Sequence, residues 1–137
     1  MKHLLIVLSL FALIASARAQ NVPYRVVFDL TSRDTLDQKA VLRWIGEITA
    51  EHPDAKLEVV MYGKGYELVM PEKSAYLAQV KEVMKKDNVT FSVCSVAMKN
   101  NNIAKSQLLP GASTVPDGIY EILTKQHDQW GYIKVGH

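Results

Sequence analysis

Short runs of β-branched and aromatic residues alternate with amphipathic helical patterns along most of this chain, and that alternation limits the fold more than any other feature. Residues 24–29 (YRVVFD) read as a buried first strand running into a polar loop. Residues 56–62 (KLEVVMY) read as a second strand ending at Gly63-Lys64-Gly65, and residues 90–94 (TFSVC) as a third. A brief extended piece at residues 113–115 is a candidate fourth, and residues 132–135 (YIKV) are the last.

Between them lie the helices. Residues 36–51 follow a capping-box spacing at Thr35 to Gln38 and set Leu36, Ala40, Val41, Trp44, Ile45 and Ile48 on one face. A second helix starts near Pro71 and carries Tyr76, Leu77, Val80, Val83 and Met84. A short helix over residues 95–103 follows the third strand. A final one, over residues 116–129, directs Ile119, Tyr120, Ile122 and Leu123 inward. Residues 66–70 fit either a short strand or a packed loop. Apolar runs this continuous, alternating with helices, predict an α/β fold with a mostly parallel sheet covered on both faces.

The N-terminus sets the compartment. Lys2 and His3, an apolar run from Leu4 to Ala15, and Ala17-Arg18-Ala19 have the form of a cleavable export signal, so residues 1–19 are expected to be removed. A membrane anchor is the alternative, but a span needs about 20 apolar residues and this run is shorter. Residues 20–137 then form one domain. Removing Lys2 and Arg18 from the 16 basic residues makes them equal to the 14 acids, a balance that favours neither nucleic acid nor an anionic membrane as partner.

Exported domains are commonly stapled by disulfides, yet this chain has one cysteine, Cys94, and no internal bridge is possible. Cys94 ends the third strand where a helix begins, a position that sets a thiol beside unpaired helix N–H groups and favours the thiolate. In a parallel sheet, reactive groups gather beyond the carboxyl ends of the strands. Two segments reach that same edge: the loop after the first strand, Asp29 to Asp34, and Tyr62, Gly63, Lys64, Gly65, which is the candidate binding loop, with Lys64 supporting an anionic sulfur. The competing reading is a buried cysteine that only packs.

Other constellations carry less. His52, His127 and His137 lack the spacing of a zinc site, and the four methionines after the leader read as core filling. Gly63-Lys64-Gly65 lacks the remaining glycines of a phosphate-binding fingerprint, so no cofactor is implied. Asn88-Val89-Thr90 is a formal glycosylation sequon, and no hydrolase motif is present.

The run from Val89 to Cys94, with Met98, Ile103, Leu108-Leu109-Pro110-Gly111, Val115 to Ile119, Gln126 and Gly131 to Lys134, resembles the DsrE/DsrF-like family of sulfur-relay proteins. Val26 to Asp29 and Leu57 to Gly65 agree with it in the first half. The resemblance implies a three-layer α/β/α sandwich with a five-stranded parallel sheet, assembly into homo-oligomers, and a cysteine at Cys94 that passes persulfide sulfur between a donor and an acceptor thiol. The chain departs from exportable members at Val96-Ala97, where those often carry an Asn-Thr pair.

Two functional expectations follow. One is an exported sulfur carrier working through Cys94. The other is a non-catalytic oligomeric binding or assembly module in which Cys94 is structural. A bridge between the Cys94 residues of two chains is a further possibility.

Overall fold

The computed structural model describes residues 22–136. The expected leader lies outside the described residues. Five strands form one parallel sheet: β1 (Arg25–Leu30), β2 (Lys56–Met61), β3 (Val89–Cys94), β4 (Ser113–Val115) and β5 (Gly131–Val135), in the order β4-β3-β2-β1-β5. Helices α1 (Thr35–Glu51), α2 (Leu77–Val83), α3 (Ser95–Asn100) and α4 (Gly118–His127) connect them, with 3-10 turns at Gly65–Val69 and Lys105–Gln107. No helix among the described residues is long and apolar enough to cross a membrane.

Every strand pairing is parallel, so each connection must cross the sheet, and the side it takes decides the architecture. Strands β1 to β4 are laid down in sequence, and the chain then returns by way of α4 to place β5 beside β1. Helices α1 and α2 cover one face, while α4 is the one helix of the described residues on the other, against β1, β2, β3 and β5. The result is the expected three-layer α/β/α arrangement.

Strand alternation divides the side chains between the two faces. Phe28 and Leu30, Leu57 and Met61, and Phe91 and Val93 enter the main core with Val41, Leu42 and Ile45 of α1. Phe28 also stacks on Trp44, with ring centroids 6.2 Å apart. The α4 face has a much smaller apolar cluster around Val27, Val60 and Ile122.

Polar side chains fill the rest of that face, and the acids among them, Asp29 and Glu58, are paired, while the buried Arg25 Nε has no hydrogen-bond partner among the described residues. Buried Glu58 accepts from Ser92 Oγ at 2.6 Å and meets Lys125 Nζ at 2.7 Å, which ties the second half of α4 to β2 and β3. Burial alone would pull the Lys125 ammonium down, but the hydrogen bond and charge of Glu58, with Glu121, more than offset that and raise its pKa. Lys125 also lies 4.5 Å from the centre of the Trp130 ring.

Three local expectations change, and one open reading is decided. Asp34, not Thr35, caps α1 by accepting from Leu36 N at 2.7 Å, and Leu36 is exposed because the cap turns it outward. The second helix starts at Leu77 rather than near Pro71, because residues 71–76 are spent in turns, including a Ser74 Oγ contact to Tyr76 N. The undecided stretch after Gly65 is a 3-10 turn that buries Tyr66, Leu68 and Val69. Ile119, Tyr120 and Leu123 do not point inward: they are 65%, 68% and 59% exposed, since a single helix on this face turns only one narrow stripe toward the sheet.

Candidate thiol site at the β3–β4 switch point

Cys94 is the last residue of β3 and the N-cap of α3. Its backbone (φ −67°, ψ 120°) is still extended, so the chain turns into helix at Ser95. Its side chain makes no capping hydrogen bond.

The strand order explains why a crevice opens here. After β3 the chain enters α3, whose Ala97 and Met98 join the main core, whereas after β4 it enters α4 on the opposite face. Neighbouring strands whose following connections diverge to opposite faces create the switch point where ligands bind in open α/β sheets. Cys94 is paired with Val115 across that divergence.

The start of α4 closes one side of the crevice. Asp117 caps it by accepting from Ile119 N at 2.8 Å and Tyr120 N at 3.3 Å. The next residue is Gly118, where an added Cβ would stand 3.1 Å from Cys94 Cβ, 3.2 Å from Val60 Cγ1 and 3.5 Å from Tyr62 Cδ1. With no side chain in between, the helix start rests directly on the cysteine.

The cleft holds about 270 Å³, and its walls include Tyr62, Gly63, Cys94, Asn101, Asp117 and Ile119. Cys94 lines this cleft and is itself 5% exposed. Of the candidate binding loop, Tyr62 and Gly63 join Cys94 here. Lys64 turns to the rim, donating to Asn101 Oδ1 at 2.6 Å and to the Tyr66 hydroxyl at 3.3 Å. Gly65 is buried against the end of β1. His127 closes α4 at the far end from Gly118, about 14 Å along the helix axis.

The sequence placed the loop from Asp29 to Asp34 at this edge but not the cluster of side chains that Asp29 gathers beside the cysteine. Asp29 at the end of β1 is buried and accepts from Tyr132 at 2.7 Å, Tyr62 at 3.2 Å and Lys134 Nζ at 3.2 Å. An acidic residue inside the otherwise apolar run Val26-Val27-Phe28-Asp29-Leu30 was the available signal. Its partners lie 33, 103 and 105 residues away, so nothing local names them.

Burial, then the charge and hydrogen bond of Asp29, push the Tyr62 phenol up to about 12, and the hydrogen bond to Asp29 followed by burial does the same for Tyr132. A folded-state pKa above the ordinary value of 10.0 means stability that is fully present below pH 10 and lost as pH rises through 12. Melting temperatures across that window are expected to fall more steeply for the wild type than for a Tyr62→Phe/Tyr132→Phe double variant. Parallel slopes would disconnect the cluster from alkaline stability.

Two hollows lie farther from the cysteine. One of about 380 Å³ beyond β1 and β5 is lined by hydroxyls and acids, among them Thr31, Ser32 and Asp34. One of about 340 Å³ at the opposite end of the sheet surrounds the Glu58–Lys125 pair. No group of three or more His, Cys, Asp and Glu side chains among the described residues is placed to hold a metal ion.

The DsrE/DsrF-like family matches residues 9–135, from before the first described strand to the end of β5. The chain belongs to the DsrE/DsrF-like family. Among solved structures, this DsrE/DsrF-like protein is similar to a protein of unknown function from Methanobacterium thermoautotrophicum, at 27% identity and a TM-score of 0.76, covering 81% of this chain and 98% of that one. The YchN protein from E. coli shares the fold at 12% identity and a TM-score of 0.65, covering 82% of this chain and 99% of that one. No curated protein matches.

Proposed function

We propose that this DsrE/DsrF-like protein is an exported sulfur carrier that holds sulfane sulfur on Cys94. The observation that supports it best is the cysteine's place: an uncapped sulfur at the β3–β4 switch point, at the start of α3 and against the start of α4, facing a small cleft. In the forward step the Cys94 thiolate attacks the outer sulfur of a persulfide RS–SH. The donor S–S bond breaks, RS⁻ leaves with its electron pair, and Cys94–S–SH remains. An acceptor thiolate attacks that outer sulfur in turn, which regenerates the Cys94 thiolate. No external oxidant or reductant is needed.

Lys64, held at the rim by Asn101, draws anionic sulfur species toward the cleft, while Asp117 keeps its carboxylate on the α4 amides. The exposed Ile119, Tyr120 and Leu123, with Val96 and Tyr132 lining the clefts beside them, support a homo-oligomer, because apolar surface of this kind is costly to leave in water.

Mass spectrometry of the protein purified from cells tests the reading. Denatured mass is expected to begin at Gln20 and to gain sulfur on exposure to polysulfide, and native mass to show more than one chain. Unchanged mass after polysulfide removes the carrier function, a retained leader removes export, and a monomer removes the assembly.

Near-complete burial of Cys94 favours a second reading, a binding module in which the cysteine is packing. That reading predicts a thiol that reacts with reagents only after unfolding.

A further inference from the structure

The Cys94 cleft is not isolated. A second cleft of about 280 Å³ lies beside it, with Asp29, Ile122, Leu123, Gln126 and Tyr132 in its walls. Tyr62 and Ile119 are the residues that line both. The Tyr62 ring has one edge against Gly118, where the α4 start meets Cys94, and its hydroxyl at the far end on Asp29. It stands between the thiol and the neighbouring space.

The way Tyr62 is held has a second feature. Its bond to Asp29 Oδ2, at 3.2 Å, is long for a hydroxyl donor, while Tyr132 takes the same oxygen at 2.7 Å. Lys134 occupies Asp29 Oδ1 and lies 5.7 Å from the centre of the Tyr62 ring. If Tyr62 swings away, the buried carboxylate keeps two donors and is not left unpaired, so release has little electrostatic cost. Tyr132 and Lys134 hold the carboxylate in place, and Tyr62 is the member free to leave.

From this geometry we infer that Tyr62, latched by Asp29, is a specificity-determining partition that restricts Cys94 to small sulfur donors, such as hydropolysulfides, by closing the thiol cleft off from the apolar cleft beside it. At about 270 Å³ this cleft, open to solvent on its outer side, lies just below the range of about 300–1,000 Å³ that organic ligands of drug size occupy. Joined, the two clefts fall within that range, and a donor with an organic arm then has apolar wall from Ile122 and Leu123 to lie against. The donor class rests on the sulfur-carrier reading. The partition itself does not.

The test compares two reagents of one chemistry on the folded protein, N-ethylmaleimide and fluorescein-5-maleimide, and reads the ratio of their second-order rates at Cys94. The wild type is expected to favour the small reagent well beyond the ratio seen after unfolding. Tyr62→Leu, which keeps an apolar side chain but drops the outer ring, is expected to cut that preference about tenfold by accelerating the bulky reagent alone. Tyr62→Phe keeps the ring and loses only the latch, and is expected to cut it about fivefold. An unchanged ratio in both variants overturns the partition. So does equal acceleration of both reagents, which marks general loosening, or a thiol silent to both reagents in every variant. Sulfur uptake from polysulfide is measured separately: a wild type that discriminates by size yet gains no sulfur keeps the partition and loses the carrier reading.

Discussion

Replacing Cys94 by serine is expected to abolish sulfur uptake from polysulfide while leaving the fold in place. Uptake should vanish because a serine hydroxyl is not ionised near neutral pH and does not form a persulfide, and the chain has no other cysteine to substitute. The fold should hold because position 94 is an N-cap whose present side chain makes no capping bond, and serine is among the best N-caps. A stability change within about 1 kcal/mol is therefore expected, either way, from the new cap set against the lost sulfur packing. Circular dichroism melts beside intact mass after polysulfide check both halves. A Cys94→Ser protein that still gains sulfur rules out the carrier mechanism, and one that fails to fold shows that the cysteine's packing outweighs its capping.

Gly65→Ala is expected to damage the protein more than any change in the cleft itself. A Cβ at Gly65 would sit 2.0 Å from Leu30 O and 2.7 Å from Leu30 C, both main-chain atoms of β1, an interior strand paired on both sides. No rotamer relieves such a contact, so backbone must move in a packed region, at a cost of about 3 kcal/mol or more. At about 4 °C per kcal/mol for a domain of this size, the melting temperature should drop by about 12 °C. Gly46→Ala is the control: an added Cβ meets nothing within 4 Å in the middle of α1, so the helix is expected to gain about 0.5–1 kcal/mol. Equal melting temperatures for the two variants would show that the turn after β2 yields more readily than its contacts imply. Because Gly65 closes the turn that carries Tyr62 and Gly63, Gly65→Ala is also expected to blunt the size preference of Cys94.

Where the physics is local, the elements were legible from residue order. A strand that ends in a cysteine and turns at once into a helix needs only its own residues, and β3 and α3 meet at Cys94 as their pattern implied. The same holds for β4 at Ser113–Val115 and for the glycine turn after β2. The inward face of α4 was not legible. A stripe at helical spacing shows that a helix has an apolar side, but whether a second helix shields its flanks depends on how many helices share that face of the sheet, and among the described residues α4 has no companion there.

Lys64 shows the same limit at the scale of one side chain. Its place in the glycine loop was evident, yet its direction depends on Asn101, which the fold brings back from 37 residues away. Asp29 is a sharper case, since β5 contributes Tyr132 and Lys134 to it only because the chain recrosses the sheet to pair β5 with β1.

By itself the sequence determined the α/β alternation, the parallel sheet and the strand-end thiol, because side-chain period, turn chemistry and helix starts act over a few residues. Only the tertiary structure decided the strand order, and with it the switch point between β3 and β4, the meeting of α4 with Cys94 through Gly118, and the tyrosine pair on Asp29. Those depend on which face each crossover takes, a choice settled by packing the whole chain at once and written in no single segment of it.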